Sequence, residues 1–133
     1  VDSPTGDDIV RILHDTDRAN LTFILDTGRW KGSPGTPPMG MTDPDADIYE
    51  YMKQTAPYAT YVRAKIYRID SGREEWIDYS RVMEILSAVD FNGTMSIVYE
   101  DQGNACGPRE AITLAVAHLR EVIASDLQSW RDN

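Results

Sequence analysis

The stretch Tyr61-Val62-Arg63-Ala64-Lys65-Ile66-Tyr67, "YVRAKIY", lies between two regions marked by proline and glycine. Successive side chains of a strand point to opposite faces. One face then carries Val62, Ala64 and Ile66, and the other carries Tyr61, Arg63, Lys65 and Tyr67. The first suits packing beneath helices. The second presents two cations and two phenols, and a negative partner is expected opposite them.

Two further segments share this division. In "LTFILD", Leu21, Phe23 and Leu25 point one way and Thr22, Ile24 and Asp26 the other. In "TMSIVYE", Met95, Ile97 and Tyr99 oppose Thr94, Ser96, Val98 and Glu100. Helical spacing fills the intervals. Thr5 with Asp8 marks a helix start with Ile9, Ile12 and Leu13 on its inner face. Asp43-Pro44 reads as N-cap and first position of a second helix carrying Ile48, Tyr51, Met52 and Thr55, ended by Pro57. Asp78 caps a third, with Tyr79, Val82, Met83 and Leu86 at helical spacing. A fourth begins near Pro108, with Ile112, Ala115, Leu119, Val122 and Ile123 as its buried stripe.

The order is α-β-α-β-α-β-α without a hairpin, so the strands run parallel and helices cover the sheet. The expected class is α/β, a single domain over residues 1–133. Polar residues at the carboxyl ends of parallel strands suit the interior and mouth of a barrel. A complete (β/α)8 barrel needs ~250 residues. The chain therefore reads as the last three strands and flanking helices of one, and Val1 in place of Met suggests that a preceding part has been removed.

Charge and composition narrow the partners. Net charge is −9 with acidic residues scattered along the chain, which leaves no basic stripe for nucleic acid. No apolar run approaches the ~20 residues of a membrane span, so no membrane partner is expected. Cys106 is the single cysteine, so no intrachain disulfide forms and a cytoplasmic home is expected. The Gly28–Met41 loop, rich in Gly and Pro, lacks phosphate-loop spacing, and its length suits either a functional lid or a disordered segment. Trp30 at its start is a candidate lid contact, whereas Trp76 and Trp130 read as packing residues.

The segments "LTFILDTGRW", "YVRAKIYRIDSGREEWIDYSRVMEIL" and "DFNGTMSIVYEDQG" resemble the C-terminal part of the sugar phosphate isomerase/epimerase family, the xylose-isomerase-like TIM barrels. The resemblance implies a divalent metal (Mn, Mg or Zn) in the barrel mouth, held by a Glu, an Asp, a His and a second Glu on strands five to eight. It also implies proton transfer between adjacent carbons of a small sugar or hydroxy-ketone. Asp26 matches the family's Asp, and the fifth-strand Glu would lie before Val1. Arg63 stands where the family writes His, and Val98 where it writes Glu, so two of four ligand positions are replaced. Lys65, Tyr67, Gly72, Asp78, Tyr79 and Gly93 fit the family pattern.

Carried over in this way, Asp26, Lys65 and Glu100 are the candidate catalytic residues, with Asp26, joined by Glu100, as the remaining metal ligands. Arg29, Trp30, Arg63 and Tyr67 are candidate substrate contacts. The loss of both ligands, with an Arg in the place of the His, suggests that Arg63 fills the space of the metal, paired with Asp26 and Glu100. Two functional classes stay open: an isomerase/epimerase-like enzyme of changed chemistry, and a non-catalytic binding or assembly subunit. Three parallel strands leave two open edges, so a homo-oligomer or a partner chain supplying the rest of the barrel is expected rather than a compact monomer.

Overall fold

The computed structural model describes residues 3–132 apart from 18, 102 and 104, and residues 129–132 in backbone only. Among these the elements are α1 (Gly6–Thr16), β1 (Phe23–Asp26), α2 (Ile48–Thr55), a 3-10 turn (Ala56–Tyr58), β2 (Ala59–Ile66), α3 (Tyr79–Ser87), β3 (Thr94–Tyr99) and α4 (Pro108–Asp132). The sheet runs β1-β2-β3 and is parallel throughout, which makes the chain the expected α/β segment. No helix among the described residues is long and apolar enough to cross a membrane.

Right-handed crossovers between sequential parallel strands place successive helices on one side of a sheet. Here α1 packs on α2, α2 on α3 and α3 on α4. They cover the face of Leu25, Val62, Ala64 and Ile66, all fully buried against residues such as Met52, Val82, Ala111 and Ala115. Burial of a side chain of this size contributes about 1.5–3 kcal/mol each, so this face holds the segment together. Among the described residues no helix packs on the opposite face, and Ile24 there is 54% exposed.

Local signals account for most helix starts. Thr5 and Asp8 form a reciprocal capping box at α1. Gly6 is required where α1 crosses α2, because a Cβ there would come within 2.9 Å of the Tyr51 Cα. The Asp78 carboxylate accepts from the Ser80 and Arg81 N–H groups and starts α3, whose buried residues are the four expected.

Two helix readings need correction. Asp43-Pro44 does not open α2. The Asp43 carboxylate accepts from the Asp45 N–H in a local turn, while its own N–H is tied to the Gly32 carbonyl. Asp47 is the N-cap, accepting from Tyr49 and Glu50. On α4, Ala111, Ala115, His118, Leu119 and Val122 form the buried face, whereas Ile112 and Ile123 are 38% and 40% exposed. The helix turns its alanines inward together with Leu119 and Val122. The packing role read for Trp130 lies outside the described side chains.

Candidate functional site at the carboxyl ends of the strands

Strand register brings the polar residues together. Asp26 pairs with Arg63 and Arg63 with Ser96 in one row, while Lys65 stands opposite Val98. An irregularity between Phe23 and Ile24 sets this register. Glu100 follows the end of β3, where its N–H continues the ladder to the Ile66 carbonyl at 2.8 Å.

Lys65 is the centre of the arrangement. Its side chain is fully buried, its ammonium donates to the Glu100 carboxylate, and it lies 3.8 Å from Asp26 Oδ2. Arg63 also approaches Asp26 Oδ2 at 3.8 Å, but its side chain is 42% exposed. The pairing of Arg63 with Asp26 is therefore present, whereas the partner of Glu100 is Lys65 instead of Arg63. The reason is position: Lys65 is two residues closer to the carboxyl end, and the turn after β1 closes over it. A Cβ on Gly28 would stand 2.8 Å from Lys65 Cγ. The Asp26 carboxylate is oriented by the Gly28 N–H, which donates to Oδ1 at 3.0 Å; Oδ2 is buried without a hydrogen bond.

Behind Lys65 the backbone is fixed by hydroxyls. The Lys65 N–H donates to Thr27 Oγ1 at 3.0 Å, and the Tyr79 hydroxyl donates to the Lys65 carbonyl at 2.6 Å. With the Tyr79 proton committed, the Thr27 hydroxyl donates to Tyr79 across their 2.9 Å contact. Complete burial raises the Tyr79 pKa well above its ordinary value, so the phenol stays protonated and keeps this role.

Tyr67 is 1% exposed and stacked on Trp76 at 5.2 Å between ring centroids. Burial first, then the charges of Glu100 and Asp26, push its phenol up, with Arg29 opposing. The Gly/Pro loop closes on its hydroxyl. A Cβ on Gly28 or on Gly35 would lie 2.0 or 1.9 Å from that oxygen. Gly35→Ala is therefore expected to cost about 1–3 kcal/mol through overpacking. Because that Cβ would also stand 2.3 Å from the ring carbon Cζ, the same change should cost less than half as much in a Tyr67→Ala background, read as a double-mutant cycle in urea. Equal costs in both backgrounds would rule out this clash.

Glu74, which no local signal separates from its neighbour Glu75, is 5% exposed. Its carboxylate accepts from the Tyr67 N–H at 2.7 Å, the Arg68 N–H at 3.2 Å and the Trp76 N–H at 2.9 Å. It shapes the turn after β2 much as a bound anion would. Burial raises its pKa, and these hydrogen bonds oppose the rise.

Asp26, Arg63, Lys65 and Glu100 thus come together, with Tyr67 beside them under the loop. Arg29 is exposed on the turn after β1. Trp30 is not with them. It is 2% exposed and packs near Phe23 and Tyr51 on the helix side, its centroid 6.2 and 5.9 Å from theirs. The loop folds back after Arg29 and delivers the indole to the core, away from the open sheet face. Cys106 is buried and its carbonyl accepts from the Tyr99 hydroxyl.

The residues present do not fit a divalent metal. Buried Asp26 Oδ2 lacks a hydrogen bond and would accept a cation, but its neighbours are an ammonium and a guanidinium. A metal ion there would be repelled by both, and Glu100 is already engaged by Lys65. Among the described residues no group of three or more His, Cys, Asp or Glu side chains is gathered for a metal. Searched against models of known protein families the chain matches none, and no curated protein matches it.

Proposed function

We propose that the chain is the C-terminal part of a barrel of the sugar phosphate isomerase/epimerase kind, in which the Lys65 ammonium stands in place of the metal. The remaining strands come from a longer chain or from a second molecule, and a cytoplasmic setting belongs to the same proposal. The observation that carries the reading is the fully buried Lys65 clamped between Asp26 and Glu100 on the uncovered face, where parallel strands end. A small sugar or hydroxy-ketone would lie over this face. Arg63 offers it a planar set of donors, and Lys65 offers an ammonium for a carbonyl oxygen. Glu100, 39% exposed on its side chain, is the carboxylate placed to move a proton to or from an adjacent carbon.

The non-catalytic alternative has its own support. The Lys65 ammonium is closed off from solvent and already engaged by a carboxylate. In that reading the ion cluster fills the barrel and the uncovered face serves ligand binding or assembly.

Dihydroxyacetone and D-xylulose, incubated with the protein in heavy water and followed by proton NMR, separate the two. The enzyme reading expects deuterium at the carbon beside the carbonyl, abolished by Glu100→Gln. Saturable line broadening without exchange supports the binding reading, and neither effect overturns both. Native mass spectrometry of protein purified without chelator should show an assembly free of divalent metal. One bound metal per chain would refute the substitution by Lys65, and a stable single-chain species would refute the missing strands.

A further inference from the structure

On the helix side of the sheet, away from the ion cluster, a cavity of about 440 Å³ opens between the β2–α3 turn and α4. A smaller one of about 230 Å³ continues along α4 to Glu121, sharing Ser71, Arg73, Ser80 and His118 with the first. His118 lies against both and is 7% exposed, yet its ring has no hydrogen-bond partner among the described residues. The buried side-chain atoms left without a partner among the described residues are Asp26 Oδ2 and Trp30 Nε1, so the His118 nitrogens are open to the cavity and not sealed in protein. The contrast within the chain is His14, whose ring meets the Tyr58 hydroxyl at 2.8 Å although it lies at the surface.

The charges around His118 are unbalanced. Glu75, Asp78 and Glu121 line the two cavities, and none is in an ion pair among the described residues. Arg73 is the single Lys or Arg lining either cavity. The amino end of α3 gives an anion nothing, because the Asp78 carboxylate already accepts from Ser80 and Arg81. Burial first, then the Arg73 charge, lower the His118 pKa, so at neutral pH the ring keeps a lone pair for a donor.

We propose that this cavity binds a cationic amine, with the ammonium donating to the His118 ring nitrogen and lying among the carboxylates of Glu75, Asp78 and Glu121. The ammonium can come from a free small amine or from a lysine side chain, and the chemistry of the site is the same for both.

With only two histidines in the chain, long-range proton–nitrogen spectra of the imidazoles report on the site directly. Putrescine and Nα-acetyl-lysine amide are titrated separately, with sodium acetate and sodium phosphate as controls at matched ionic strength. Saturable movement of the His118 signals by an amine, with His14 unmoved, is the expected result. The amine that saturates first tells a free amine from a lysine side chain. Glu121→Gln, at an exposed position, should weaken the amine about threefold, the scale of an exposed ion pair. His118→Phe should abolish saturable binding, followed there by calorimetry. Should that variant fail to fold, Glu121→Gln alone decides. No movement with either amine, equal movement with phosphate, or unchanged affinity in Glu121→Gln would overturn the assignment.

Discussion

Lys65→Met is expected to lower the stability of the chain by about 3 kcal/mol, seen as a fall in the urea midpoint without a change in slope. Removing one partner of a buried ion pair leaves the other charge stranded, which typically costs about 3–5 kcal/mol. The lower end applies because Glu100 is 39% exposed on its side chain and Arg63 still stands near Asp26. The triple change Lys65→Met, Asp26→Asn, Glu100→Gln removes the stranded charges as well. It should recover more than half of the loss, since an apolar or neutral replacement of a whole buried cluster is often tolerated. A triple variant no more stable than Lys65→Met would mean that the cost comes from packing around the lysine stem instead.

Glu74→Ala is expected to destabilise by about 3–5 kcal/mol, because three backbone N–H groups lose their acceptor at about 1–3 kcal/mol each and partial relaxation recovers some of it. Glu74→Gln should be milder, keeping one accepting oxygen while turning an amide N–H₂ toward the donors. The pH dependence has a definite sign. Burial raises the folded pKa of Glu74 above its ordinary value of 4.5, so the folded state binds the proton more tightly than the unfolded chain does. Its contribution is fully present below 4.5 and is lost as pH rises through the raised folded value. Urea midpoints of the wild type relative to Glu74→Gln should therefore fall as pH rises through that window. A relative midpoint that instead climbs with pH would show that the hydrogen bonds outweigh the burial.

Much of this architecture is legible from local sequence because its causes are local. Alternation in "YVRAKIY" divides buried Val62, Ala64 and Ile66 from the polar face, and the Thr5–Asp8 and Asp78 caps place α1 and α3. The start of α2 was hidden because the Asp43 backbone is bound to Gly32, a tertiary contact, while Asp47 does the capping. On α4 the spacing placed Ala115, Leu119 and Val122 correctly, but Ala111 and His118 complete the buried face where hydrophobicity favours the exposed Ile112 and Ile123.

For the site, alternation put two cations and two acids on one side of the sheet. Which cation meets which acid depends on the irregular register at Phe23–Ile24 and on a glycine turn that closes over Lys65. Neither is encoded in spacing. Trp30, read as a lid contact, sits apart from the cluster for a related reason: only the path of the chain after Arg29 decides which layer receives the ring.

The absence of hairpins bears on how the chain reaches this state. Each strand pairing in the sheet encloses an entire helix, so β2 meets neither neighbour until a long loop has closed. Loop-closure entropy is then spent before the ladder repays it, and refolding belongs with slow, high-contact-order topologies. Until β2 acquires both neighbours, its backbone is an unpaired template open to any other chain in solution. Protein concentration during refolding thus becomes a variable that decides between the native sheet and intermolecular pairing.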